Sequence, residues 1–170
     1  MNKVFSLKFL LLLLAAVGML SISSCEKEEQ SNLPTIKDTA QNPVDPIVMD
    51  SSSVQLLNNL FSIENPNIVN YQSDTVYVIN TATELLQLGA NGIDLDILKY
   101  YSIVWGYILA PHSNCELSSM ELSFNGQLYA MNVNILKGAE GYTAMTKIFF
   151  WGVYPKITNQ IALNVSYINE

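Results

Sequence analysis

The feature that most constrains the fold is a segment with apolar or aromatic side chains on both of its alternating faces, YYSIVWGYILA at residues 100–110. Successive side chains of a β-strand point to opposite sides of the sheet, so a strand with this pattern has little polar surface to offer on either side. The segment therefore predicts a central strand. A second long strand is predicted at residues 142–154.

Shorter β-rich segments lie before and between these strands and at the C-terminus. Strands are predicted at residues 75–80, 120–124, 128–136 and 161–167, the last two with apolar and polar side chains in alternation. Asn125-Gly126 predicts a hairpin with a type I′ turn, because that turn requires positive φ at both central residues. Gly152 predicts a bulge within its strand.

Short helices complete the predicted fold. Ser52 with Gln55 fits a capping box ahead of apolar positions on one helical face, although a strand is an open alternative there. Thr81 with Glu84 forms a second capping box, and Gly89 can end that helix. These patterns predict an α+β, mostly β domain. Its curved antiparallel sheet has about five to six strands in meander order, open-barrel or sandwich-like, with one or two short helices.

The N-terminus has the pattern of a signal peptide. Lys3 and Lys8 supply positive charge, residues 9–20 are apolar, and small residues follow before Cys25. The apolar run is too short to span a membrane and has the usual length of a signal-peptide core. Residues 1–24 are therefore predicted to be removed as a signal peptide.

The residues Ile22-Ser23-Ser24-Cys25 resemble the lipobox of bacterial lipoproteins, in a serine-rich version of the Bacteroidota type. The resemblance implies that Cys25 is alkylated by diacylglycerol, becomes the first residue and is N-acylated. Each buried methylene contributes about 0.8 kcal/mol, so two or three acyl chains such as palmitate hold a protein firmly in a membrane. A plain secretory peptide with an incidental cysteine is the alternative.

Lys27, Glu28 and Glu29 resemble the Lys-acid-acid surface-export signal of Bacteroidota lipoproteins. The resemblance implies an outer-membrane protein that faces the cell exterior, and a solvated linker is the alternative. The predicted segment 25–48 starts with Cys25, which the lipobox resemblance implies is lipidated. The rest of the segment is polar and contains three prolines, which predicts a disordered tether. A single β-rich globular domain is predicted at residues 49–170.

The composition excludes several partner classes. The sequence has no arginine, and once residues 1–24 are removed six lysines face fifteen acidic residues, a net charge of −9. Nucleic-acid binding is not expected, because it relies on arginine and on positive charge. With Cys25 lipidated, Cys115 is the only free thiol, so we expect no intrachain disulfide, no metal site and no cofactor.

Two small groups of side chains are candidates for chemistry. His112 and Cys115 share one predicted loop and could form a nucleophile–base pair, but a cysteine at a strand edge or partly buried is the favoured interpretation. Asp94 and Asp96 could serve a calcium ion, but they lack the EF-hand pattern, and a solvated connector is favoured. We therefore predict neither catalytic nor metal-binding residues.

Aromatic residues are concentrated on the two long predicted strands. If both strands alternate, either a second layer covers these side chains or an exposed strip remains that could bind sugar rings or a protein. The first alternative is favoured, because the predicted helices can cover the second face. The residues are Tyr100, Tyr101, Trp105, Tyr107, Phe149, Phe150, Trp151 and Tyr154.

Two tripeptides resemble the Asp-Ser/Thr-aliphatic acceptor of O-glycosylation in Bacteroidota. They place the possible acceptors at Thr39, in the predicted tether, and at Thr75, at the start of a predicted strand.

The segments INTATELLQL, GIDLDILKYYSIVWGYI and YPKITNQIALNVSYI resemble, at the level of the fold, the PrcB-type protease-complex partner domain. Ile93-Asp94-Leu95 stands at the position of a family motif, whereas PHSNCELSS replaces the family's Thr-Gly-Gly-Tyr turn. The resemblance therefore concerns the fold and does not identify a shared partner.

The lipoprotein-like N-terminus and the lack of predicted catalytic residues lead us to expect a non-catalytic, surface-exposed envelope protein with a binding or accessory role, and a protein or glycan partner. A small cysteine or carboxylate hydrolase at the cell surface is the alternative.

Overall fold

The computed structural model describes residues 42–139 and 143–169, all of which lie in a compact unit that spans Thr39–Glu170. This part of the chain contains seven strands, two α-helices and two 3-10 helices. The predicted α+β, mostly β class is confirmed. The strands are β1 Asn42–Val44, β2 Thr75–Ile79, β3 Tyr101–Ala110, β4 Cys115–Phe124, β5 Tyr129–Lys137, β6 Thr146–Pro155 and β7 Ile161–Asn169. The helices are α1 Ser51–Leu60, η1 Pro66–Asn70, α2 Ala82–Gln87 and η2 Leu95–Lys99.

The strands form two sheets, in the orders β1-β4-β5-β7 and β2-β3-β6. The predicted meander is therefore wrong: β6 joins β3 in a ten-residue antiparallel ladder, and β7 runs parallel to β5. The side chains explain the separation. β3 and β6 are apolar on both faces and occupy the middle layer, whereas β5 keeps one polar face, with Asn132 and Asn134, and lies in the outer sheet.

Two hydrophobic cores lie on opposite faces of the β2-β3-β6 sheet. On one face Ile103 and Trp105 pack with Leu57 of α1 and Leu85 of α2. On the other face Val104 and Ile108 pack with residues of the four-stranded sheet, including Met131 and Ile135. β3 is thus buried on both sides, as its sequence pattern predicts. The domain has three layers: helices, a three-stranded sheet and a four-stranded sheet.

The two α-helices are capped differently. α1 begins after Asp50, not Ser52: the Asp50 carboxylate accepts hydrogen bonds from the Ser53 backbone N–H at 2.9 Å and from the hydroxyls of Ser52 and Ser53. These hydrogen bonds hold the pKa of Asp50 far below its usual value, and the bond from the Ser52 hydroxyl has the largest effect. An acidic side chain caps a helix as well as serine does, so Asp50 takes the N-cap position that the pattern predicts for Ser52.

At α2 the predicted capping box is present. The Glu84 carboxylate accepts from the Thr81 N–H at 2.9 Å, and the Thr81 hydroxyl accepts from the Glu84 N–H at 3.3 Å. The hydrogen bond from the Asn80 backbone N–H is the main cause of the lowered pKa of Glu84.

The β4–β5 hairpin forms where Asn125-Gly126 predicts it, but with a longer turn. Gly126 has φ 93°, whereas Asn125 does not have positive φ, so the connection is not type I′. The Asn125 side-chain oxygen accepts from the N–H groups of Gln127 and Leu128, which closes a four-residue loop. Asparagine is well suited to this local bond, and the positive φ in the loop is at Gly126.

Gly152 does not mark a bulge, since the β3–β6 register runs through it without a shift. A Cβ at this position would lie 2.7 Å from the Tyr154 ring. The glycine therefore makes room for a buried aromatic side chain on its own strand. The register shift lies instead in β4, between Leu117 and Ser119.

Candidate functional site: an open side between two sheet edges

One side of the two-sheet assembly is closed by the N-terminal part of the described chain. β1 pairs with β4 at the edge of the four-stranded sheet. Three residues further on, the Ile47 N–H donates to the Val153 carbonyl of β6, at the edge of the other sheet, at 2.8 Å. Residues 42–47 thus connect both sheets at this side. They belong to the segment predicted as tether, so ordered structure begins before the predicted boundary at residue 49.

The opposite side is open. Its two edge strands, β2 and β7, contact each other across the gap between the sheets but have no strand paired to their outer edges within the described chain. Between them lies a cleft of about 460 Å³, which we call the edge cleft. It is lined by Asp74, Thr75, Val76, Val78, Thr158, Asn159, Gln160, Ile161 and Leu163.

The edge cleft has an apolar floor and a polar rim. Val76 and Val78 of β2, with Ile161 and Leu163 of β7, are half-buried and pack against the core between the sheets. The exposed side chains of Asp74 and of residues 158–160 form the rim. The floor residues stand at every second position of β2 and of β7, a spacing that suits an extended chain whose own side chains point to alternate sides.

The rim at the start of β2 is held in an unusual backbone conformation. Asp74 has φ 56°, and its N–H donates to the Tyr107 carbonyl at 2.8 Å. Burial raises the pKa of Tyr167, and the negative charge of the nearby Asp74 carboxylate raises it further. The Tyr167 phenol of β7 and the Asp74 carboxylate therefore lie near each other at this end of the cleft.

Thr75, a predicted O-glycosylation acceptor, lies in this cleft. Its hydroxyl donates to the Ser73 carbonyl at 3.2 Å, and its glycosylation stays a prediction. Cys25, the export signal at residues 27–29 and Thr39 lie outside the described residues.

The structure does not bring His112 and Cys115 together as a nucleophile–base pair. Cys115 is buried in the core between the sheets, His112 is half-buried in the β3–β4 loop, and no hydrogen bond joins their side chains. Asn114 shapes this loop, with its side-chain amide donating to the Gly138 carbonyl at 2.5 Å. Cys115 therefore lies at the start of β4 with its thiol buried, in agreement with the favoured interpretation of a cysteine at a strand edge or partly buried.

Asp94 and Asp96 have structural roles at the start of η2. The Asp94 carboxylate accepts from the Asp96 N–H at 3.0 Å, and the Asp96 carboxylate lies 2.9 Å from the Lys99 ammonium group. Within residues 42–139 and 143–169 no group of three His, Cys, Asp or Glu side chains could hold a metal ion.

The aromatic side chains of β3 and β6 do not form an exposed strip. Trp105 is fully buried in contact with the rings of Phe61, Tyr71 and Tyr77, at centroid distances of 4.9–5.0 Å. The half-buried Trp151 donates its indole N–H to Asn58 of α1 at 2.9 Å. Among the eight aromatic residues of the predicted strip, only Tyr100, with 72% of its side chain accessible, is exposed. The helical layer therefore covers the second face.

A scan of protein-family models, a search of curated proteins and a search of solved structures each find no match to this chain. The resemblance to the PrcB-type domain therefore stays a prediction. Within the described residues, no helix is both long and apolar enough to cross a membrane.

Proposed function

We propose that this protein is a lipid-anchored, surface-exposed envelope protein that binds an extended polypeptide segment at its edge cleft. The observation that carries the binding role is the open side of the two-sheet assembly. There the edge strands β2 and β7, unpaired on their outer sides in the part of the chain that the structure describes, border one cleft. The lipobox-like residues before Cys25 and the acidic signal after it support anchoring and export.

Edge-strand addition provides the mechanism. The outer edges of β2 and β7 present backbone N–H and C=O groups that an incoming strand can pair, and pairing supplies affinity without a deep pocket. The apolar floor, with Val76, Val78, Ile161 and Leu163, accepts alternate apolar side chains of the partner.

A polypeptide fits this site better than a glycan. Sugar rings bind on exposed aromatic faces, and the aromatic side chains of β3 and β6 are largely covered by the helical layer. None of the nine residues that line the edge cleft is aromatic. The cleft offers backbone hydrogen bonds and aliphatic surface instead.

Site-specific photocross-linking in intact cells tests this proposal. A benzoyl-phenylalanine probe at Gln160, on the rim, is expected to give a discrete adduct with a polypeptide. The same probe at Ser119, exposed on the outer face of β4, serves as the control and is expected to give none. An absence of adduct at Gln160, or the same adduct from both positions, contradicts the proposal.

A further inference from the structure

β7 lacks the features that protect edge strands from pairing with another chain. Natural edge strands are short, carry charged residues or proline, or are covered by other segments. β1 has three residues and includes Pro43, and the outer edge of β6 is partly occupied by the Ile47 N–H. β7 has nine residues without charge, proline or register shift against β5. The five-residue β2 is little more than half as long.

The charge distribution favours contact between two copies at β7. Six lysines against fifteen acidic residues make the chain beyond residue 24 strongly acidic, so most contacts between copies bring like charges together. β7 has no charged side chain over its whole length. Two acidic copies can therefore approach along this strand with little repulsion.

The side chains of β7 are also self-complementary. In an antiparallel pair centred on Val165, Leu163 lies opposite Tyr167 of the second copy, and Asn164 lies opposite its Ser166. Leu163, Val165 and Tyr167 share one face, and Asn164 and Ser166 share the other, because side chains alternate along a strand. Apolar residues thus meet apolar residues, and polar residues meet polar residues.

An existing hydrogen-bond ladder ends at this edge. On the outer face of the four-stranded sheet, the Asn164 amide donates to the Asn132 side-chain oxygen at 2.9 Å, and the Asn132 amide donates to the Ser123 hydroxyl at 3.3 Å. Pairing two β7 strands places a Ser166 hydroxyl beside each Asn164. The ladder then continues across both copies.

We infer that β7 pairs with β7 of a second copy of this chain, antiparallel and centred on Val165, to join the two four-stranded sheets into one. The inference rests on the proposed function, because it identifies the polypeptide that binds at the open side as β7 of a second copy. A contact of one strand per copy is small beside stable interfaces, which bury roughly 1,200–2,000 Å². Anchoring of both copies in one membrane raises their effective concentration and favours the pair.

Co-purification of two differently tagged full-length copies, expressed together and extracted in mild detergent, tests the pairing. Wild-type copies are expected to recover each other. Asn164→Lys with Ser166→Lys in both copies places lysine opposite lysine at two points and is expected to reduce recovery about tenfold. Asn164→Glu with Ser166→Glu in both copies is expected to do the same.

Mixing one lysine copy with one glutamate copy is expected to restore recovery, because every opposed pair then has opposite charges. The matched control is Ser119→Lys with Glu121→Lys on β4, away from the edge, and should leave recovery at the wild-type level. Absent recovery of wild-type copies, unchanged recovery with lysine in both copies, or no restoration in the mixture overturns the inference.

A benzoyl-phenylalanine probe at Ser166 gives a second readout in an otherwise wild-type chain. The expected adduct has twice the mass of the chain and carries both tags. An adduct with a different polypeptide overturns self-pairing but leaves the proposed edge-binding function standing. An adduct at Gln160 without one at Ser166 also overturns self-pairing and leaves the proposed edge-binding function standing.

Discussion

At the scale of single residues, a buried hydrogen-bond network around Ser102 joins the ends of three strands. The Ser102 hydroxyl donates to the Asn80 side-chain oxygen at 2.5 Å and accepts from the Ile157 N–H at 2.8 Å. The Lys156 ammonium group donates to the carbonyls of Asn80 and Leu98. The network fixes how β2, β3 and β6 come together. Ser102 could not be singled out from the sequence, because its partners are 22 and 55 residues away.

Ser102→Ala is expected to destabilise the domain by about 1–3 kcal/mol, since it leaves the buried Ile157 N–H without its hydrogen-bond partner. Thermal unfolding of the purified chain measures the effect. The control Ser118→Ala changes an exposed serine and should stay within about 0.5 kcal/mol of wild type. Equal melting temperatures for Ser102→Ala and wild type would show that the network contributes nothing.

At the scale of elements, local sequence patterns predict most strands and the α2 helix, but not how they pair. The Thr81–Glu84 capping box and the Asn125-Gly126 hairpin are local signals, and both elements form. The ladder of β3 with β6 and the parallel ladder of β5 with β7 depend on contacts distant in sequence, which periodicity does not contain. The edge cleft follows from those pairings, so it could not be predicted either.

Gly126→Val is expected to destabilise the hairpin by about 1–2 kcal/mol, because a β-branched residue resists the φ of 93° at this position. A Cβ here meets no atom within 4 Å, so the cost comes from the backbone alone. Chemical denaturation compares it with Gln127→Val, an exposed neighbour without positive φ, which should be nearly neutral. Equal effects of both variants would mean that the turn does not depend on glycine.

At the scale of the whole molecule, the apolar side chains on both faces of β3 predict that this strand lies in the middle of three layers. A strand that is apolar on both faces has to lie in a middle layer, and helices and the four-stranded sheet cover it. Beside these three layers lies the open side, where no strand of residues 42–139 and 143–169 pairs with the outer edge of β2 or of β7.

The proposed function depends first on Cys25 as the membrane anchor. Metabolic labelling with an alkyne fatty acid measures this directly. We expect label on the wild-type chain and on Cys115→Ser, which removes a thiol buried in the core. We expect none on Cys25→Ser, because a hydroxyl does not replace the thiolate in alkylation. An unlabelled wild-type chain, or Cys25→Ser labelled as strongly as wild type, would contradict this expectation.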